Sequence, residues 1–260
     1  MSIPLLYKAF TEETIPHWRC PTCLNETLEI VPGSFFKEET SETRLGKNES
    51  WFEPDHHYKM VFSCLLRCSR KACLEPVAIT GIGWVDRDVD YEAGEVDYVE
   101  RFCASTFHPP LPLFIPPADC PERVMRQLKE ISALLAAHPS AAINTMRTVL
   151  ELLLDELNVP REVARVGKDP LVLTLHRRID EHSDILGGYS AAFMALKWLG
   201  NTGSHSERRI QRSHIEGACA VLDDLIQQIY QPKSAVPGIV ATLNKAYAPP
   251  DRKDAGRKPT

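Results

Sequence analysis

Five prolines in ten residues, His108-Pro-Pro-Leu-Pro-Leu-Phe-Ile-Pro-Pro117, constrain this chain more than any other stretch. Proline has a fixed φ and no backbone N–H, so neither a helix nor a central strand passes through such a run. The stretch is predicted to be extended and polyproline-like, a stiff spacer more than a ligand for an SH3-like partner. It separates two parts of unlike pattern. A β domain is predicted over 1–107, a linker over 108–118, a helical domain over 119–248 and a disordered polar tail over 249–260.

Five of the eight cysteines lie between Cys20 and Cys73, within the first part. Cys20-Pro-Thr-Cys23 and Cys68-Ser-Arg-Lys-Ala-Cys73 each read as a turn with paired thiols, set between short strands at 28–31, 58–67 and 76–85. No signal peptide and no eighteen-residue apolar run are present, so a cytoplasmic protein is expected, where paired cysteines favour metal over disulfides. Cys20, Cys23, Cys68 and Cys73 are the favoured ligands of a structural zinc, because four thiolates fill its tetrahedron and leave no position for a substrate. Cys64 lies four residues before Cys68 and on a strand would share its face, so it is the alternate to Cys73. His56 and His57 are outside candidates. The metal would stand in for a core that so short a β unit cannot build. Residues 37–50 read as a mobile loop. Asp86 to Glu100 reads as a solvated acidic hairpin, followed by a last strand at 99–103.

The second part has helical periodicity. Helices are predicted from an Asp119 cap to Ala137, over 140–157, 171–180, 189–199 and 210–230, with a short sixth over 237–247. Residues 158–169 read as a charged linker. The fourth helix ends in Lys197-Trp-Leu-Gly-Asn-Thr-Gly-Ser-His205, with Trp198 and Leu199 read as buried and the polar groups beyond them on a turn. Were the helix to continue, Lys197, Asn201 and His205 would share a face. Arg147 and Glu151 sit four apart on an otherwise apolar helix, where a guanidinium needs a partner. Arg147, Glu151, Asn201 and His205 are expected to form a polar network pinning two helices. The basic clusters His176–Arg178 and Glu207–Arg212 could follow a phosphate backbone, although such runs are more often a solvated face.

Ala141-Ala142, Arg147, Glu151, Gly200-Asn201, His205 and Tyr230, in that order after a Cys-x-x-Cys segment and a proline run, resemble the domain of unknown function 4145. The resemblance extends over about residues 17–231. That family is similar to HEPN-like helical bundles and occurs in prokaryotes beside restriction and phage-defence proteins. The resemblance implies an α+β chain that is mostly α: a small zinc-ribbon-like β domain, then a HEPN-like bundle of five or six helices that dimerises. HEPN ribonucleases pair a His with an Arg that stabilises phosphate charge. Here His205 fits, but the Arg position falls on Gly200 or Lys197, and lysine lacks the planar fork.

The net charge of −5 gives no overall attraction to nucleic acid, and neither a phosphate-cradling glycine loop nor a nucleophile elbow is present. The leading expectation is a non-catalytic binding or regulatory module of a defence or restriction system, recognising RNA, DNA or a protein partner. The alternative is a metal-independent ribonuclease using His205 with Lys197 and Asn201. A third is a structural interaction protein.

Overall fold

Strict alternation organises the first half. From Lys59 to Cys68 every second residue is buried, placing Met60, Phe62, Cys64, Leu66 and Cys68 on one face of strand β3. In the computed structural model, which describes residues 6–90, 95–205 and 211–231 together with 240, 242 and 243, this strand is the hub of an antiparallel sheet. One edge of β3 pairs with β1 (Leu28–Ile30) and β2 (Phe36–Glu39), and the other with β4 (Pro76–Asp90). β4 pairs in turn with β5 (Glu95–His108). Two short helices, α1 (Ser41–Gly46) and α2 (Pro54–His57), connect β2 to β3.

The five strands curl into a half-barrel. A bulge at Thr80/Gly81 bends β4 against β5. Gly81 permits that approach, because a Cβ there would lie 2.1 Å from the Cys103 carbonyl oxygen. Inside the curl Trp18 packs edge-on to Phe10 and Phe107, with ring centroids 5.3 and 5.1 Å away. Phe10 also exchanges two backbone hydrogen bonds with Phe102, which adds a rung beyond β5.

The second half contains α3 (Glu122–Leu134), α4 (Pro139–Glu156), a two-stranded hairpin of β6 (Glu162–Arg165) and β7 (Lys168–Val172), then α5 (Leu175–Glu181), α6 (Ser183–Leu186), α7 (Ser190–His205) and α8 (Arg212–Tyr230). α4 buries Ala142, Ile143, Met146, Val149, Leu150, Leu153 and Leu154, and α8 buries Ile215, Ala218, Cys219, Leu222, Leu225 and Ile226. Both sets have the spacing of one helical stripe.

These observations correct the expected fold class. The chain is α+β with a substantial curled sheet; it is not a mostly helical chain with a small ribbon attached. The short-strand reading underestimated β4 and β5, which continue through the acidic segment to Asp90 and from Glu95. Residues 37–50 hold β2 and α1 in place of a loop. The charged linker is the β6–β7 hairpin, and Pro170 and a Thr174 cap delay the third helix to Leu175. The fourth helix continues through Gly200 to His205. Most of the sixth helix, and the tail over 249–260, lie outside the described residues; Val240, Thr242 and Leu243 are helical.

The proline run is extended but not a solvated spacer. Leu111, Leu113 and Phe114 are buried in a core that continues from Leu6 in the sheet half to Ile226 in α8. The Tyr7 hydroxyl donates to the Leu135 carbonyl at 2.8 Å, and Gln227 Nε2 donates to the Ile115 carbonyl at 2.8 Å. No helix among the described residues is long and apolar enough to cross a membrane.

Candidate functional site

Two places bring polar side chains together. The first is at the open end of the sheet. Leu28 pairs with Cys68 across β1 and β3, so the turn before β1 and the loop after β3 face each other. Each is folded by backbone hydrogen bonds: Leu24 N–H to the Cys20 carbonyl at 2.9 Å, and Leu74 N–H to the Arg70 carbonyl at 3.1 Å. Leu24 and Leu74 each follow the second cysteine of a pair, and each has a left-handed backbone, with φ of 60° and 52°. The same reversal therefore occurs twice, and a non-glycine residue held there costs on the order of 1–2 kcal/mol.

The four sulfurs of Cys20, Cys23, Cys68 and Cys73 all lie within 4.8 Å of one another. Cys20 Sγ to Cys73 Sγ and Cys23 Sγ to Cys68 Sγ are both 3.6 Å. A tetrahedral ion with metal–sulfur bonds of about 2.3 Å requires sulfurs about 3.8 Å apart. The cluster is therefore compatible with a metal ion bound by four thiolates. Thr27 Oγ1 lies 3.1 Å from Cys68 Sγ, a contact from outside the cluster that orients this thiol. Burial pushes the Cys20 thiol up to about 12, while the Asn25 backbone N–H pulls Cys23 down to about 5. Cys64 stays out of the cluster. It is buried on the inner face of β3 opposite Ile79, and burial raises its thiol to about 12. His56 lies instead in an exposed group with Glu53 and Asp55.

The second place is between α4 and α7. Arg147 Nη1 donates to Asn201 Oδ1 at 2.8 Å. Gly200 makes this crossing possible: a Cβ there would lie 2.5 Å from Arg147 Cγ and 2.6 Å from Cδ. Residues 129–246 match a domain of unknown function (DUF4145). The match begins within α3 and contains this whole polar site. Residues 8–111 match a separate domain of unknown function (DUF8608), so the cysteine cluster lies there and not in the DUF4145 region. No curated protein and no solved structure matches the chain.

Within the DUF4145 region the helical face Lys197–Asn201–His205 is continuous, because α7 does not break. The side chain of His205 lies outside the described residues. Among the described residues no ion pair joins Arg147 to Glu151. Lys197 is buried and Trp198 is 54% exposed, the reverse of the expected order. Phe193, Leu196, Lys197 and Gly200 form the inward stripe, and Trp198 falls beside it. Burial and the charge of Arg147 hold the Lys197 amine below its ordinary range.

The His176–Arg178 cluster does not form a basic surface. Arg177 pairs with Glu181, and Arg178 turns inward. Arg178 Nη2 donates to Asp155 Oδ1 and to the Val159 carbonyl, both at 2.8 Å, and Asp155 also takes both forks of Arg161. Sequence reasoning missed this network. Its signal was available, since Leu175, Arg178 and Ile179 share one stripe. Of the second basic cluster, Glu207–Ile210 lies outside the described residues, and Arg212 stacks on Tyr7, 4.8 Å from the ring centroid.

Proposed function

We propose that the chain is a non-catalytic binding module, its sheet half closed by a structural zinc, which recognises a nucleic acid or a protein partner within a defence or restriction system. The observation that carries this reading is the Arg147–Asn201 bond over Gly200. The arginine comes from α4 and lies across α7, so the polar constellation fastens two helices together, and satisfied networks of this kind fix one packing. Borderline-soft zinc suits four thiolates, and a filled tetrahedron has no place for a reacting water. A homodimer joined through the helices belongs to the same proposal.

A ribonuclease of the HEPN type is the second reading. The unbroken α7 favours it, since it aligns Lys197, Asn201 and His205 along one face. One experiment separates the two. Purified chain and its His205→Ala variant are incubated with single-stranded RNA, and binding to RNA and DNA is titrated against salt. The module reading expects equal, background cleavage by both chains. Cleavage that His205→Ala abolishes would remove it. A binding constant that falls with salt identifies a nucleic-acid partner, and its absence directs the search to protein.

A further inference from the structure

The proline run, the turn between Cys20 and Cys23, and α3 enclose a cavity of about 500 Å³. That volume suits a small organic ligand, since such sites occupy about 300–1,000 Å³. The cavity shares no residue with the α4–α7 crossing. Its walls come from three segments. Pro21, Thr22 and Leu24 form one, with Glu75 beside them. The run from Pro109 to Pro116 forms the second, and Met125, Leu128, Lys129 and Ser132 form the third.

Leu24 carries the first argument. Its φ is 60°, and the residue is 40% exposed and lies outside the hydrophobic core. Glycine is unstrained in that conformation and leucine is not. The turn itself has no use for the side chain. The cavity does, because Leu24 lines it. Strain held in place at a cavity wall points to a ligand.

The polar groups carry the second argument. Proline has no N–H, so Pro109, Pro110, Pro112 and Pro116 present rings and no backbone donor. The Ile115 carbonyl already accepts from Gln227. Ser132 donates its hydroxyl to the Leu128 carbonyl at 2.9 Å, and the Glu75 carboxylate accepts from Thr22 at 2.8 Å. Lys129 remains. It is exposed on α3, and among the described residues no carboxylate pairs with it. The cavity therefore combines an apolar interior with one available cation. Proline rings pack against aromatic ones, as when proline-rich peptides dock on aromatic grooves, and a thioether such as that of Met125 favours an aromatic edge.

We propose that this cavity binds a flat aromatic ring system carrying one carboxylate, with the ring among the prolines and Met125 and the carboxylate at Lys129. The proposal goes beyond the module reading and holds whichever macromolecule the module recognises. No bond is made or broken.

The test titrates the full chain with naphthylacetate, and with neutral naphthylmethanol and cationic naphthylethylamine as comparisons, following heat and melting temperature. Naphthylacetate should bind tightest, ahead of the alcohol by roughly two- to fivefold, as an exposed ion pair supplies. Lys129→Met should remove that preference and leave the affinity for the alcohol unchanged. Leu24→Gly removes apolar wall and relieves the turn, so it should weaken naphthylacetate binding roughly tenfold without lowering the melting temperature. Leu74→Gly is the control: Leu74 has the same left-handed backbone but does not line the cavity, so ligand affinity should hold. Met125→Trp fills the space from α3 and should abolish binding, which decides the matter should Leu24→Gly loosen the turn. The proposal is overturned if naphthylacetate gives neither heat nor a rise in melting temperature, or if Met125→Trp binds it like the unaltered chain. It is also overturned if the alcohol binds as tightly as naphthylacetate. Tightest binding of the amine would overturn it in favour of a cationic ligand held by Glu75.

Discussion

Lys197 and Trp198 exchange their usual places, and the cause is one residue of helical phase. A reading by residue type puts the tryptophan inside. A reading by position puts it beside the stripe of Phe193, Leu196, Lys197 and Gly200, where the structure has it. The cysteine pairs were legible because their geometry is local: two thiols separated by two or four residues must share a turn. Cys73 was favoured with Cys64 kept as the alternate, and it is Cys73 that joins the cluster, because the loop after β3 folds back on the turn before β1. Gly200 offers a test at this scale. In an open helix Gly→Ala stabilises by about 1 kcal/mol. Here the added methyl meets Arg147 at 2.5 Å, so Gly200→Ala should destabilise by about 1–3 kcal/mol in urea unfolding. A gain in stability would show that Arg147 does not cross at this point.

Among the elements, those with a strong internal period were legible: α3, α4, α8 and β3 lie close to their predicted positions. The β6–β7 hairpin was not, because its strands are almost entirely exposed and carry no alternation to read. A bulge after Val163 and Pro170 in β7 interrupt its edges, which discourages pairing with another sheet. What ties the hairpin to the bundle is Asp155, bonded to Arg161 at its base and to Arg178 in α5. Hydrogen bonds from Arg161, then from Arg178, hold the Asp155 carboxyl below its ordinary value of 3.8. A depressed carboxylate contributes stability above its unfolded pKa and loses it as pH falls through the folded one. Asp155→Asn should therefore cost about 3 kcal/mol at neutral pH, since Arg178 stays buried without a counter-charge. Against the unaltered chain, that deficit should shrink below pH 3.8 in a series of urea melts. A deficit that does not vary with pH would assign the cost to packing.

In the whole molecule the cysteine cluster is not a substitute for a core. The sheet half already buries Trp18, Phe102 and Ile79, so a metal held by the four cysteines would close one end of a half-barrel that is already packed. Chelation, or Cys68→Ser, should lower the melting temperature by on the order of 10 °C while leaving a folded chain. Calorimetry should show one transition before and after, because one hydrophobic cluster extends through both halves. Two separable transitions would mean that the buried proline run, residues 108–117, acts as a strap that transmits little between the halves. The extended proline run was visible in the composition, but its burial was not: prolines announce an extended chain without saying what its leucines touch.

The strap has a bearing on how such chains are assembled from parts. The two family matches end at 111 and begin at 129, leaving Leu113 and Phe114 in neither. Both side chains are buried. A gene that joined either half to a new companion at the match boundaries would discard the plug and leave its socket open to water. The interchangeable unit is therefore longer than the recognisable one. A fusion that keeps residues 112–128 with the helical half should be expressed in soluble form more readily than one cut at the match itself.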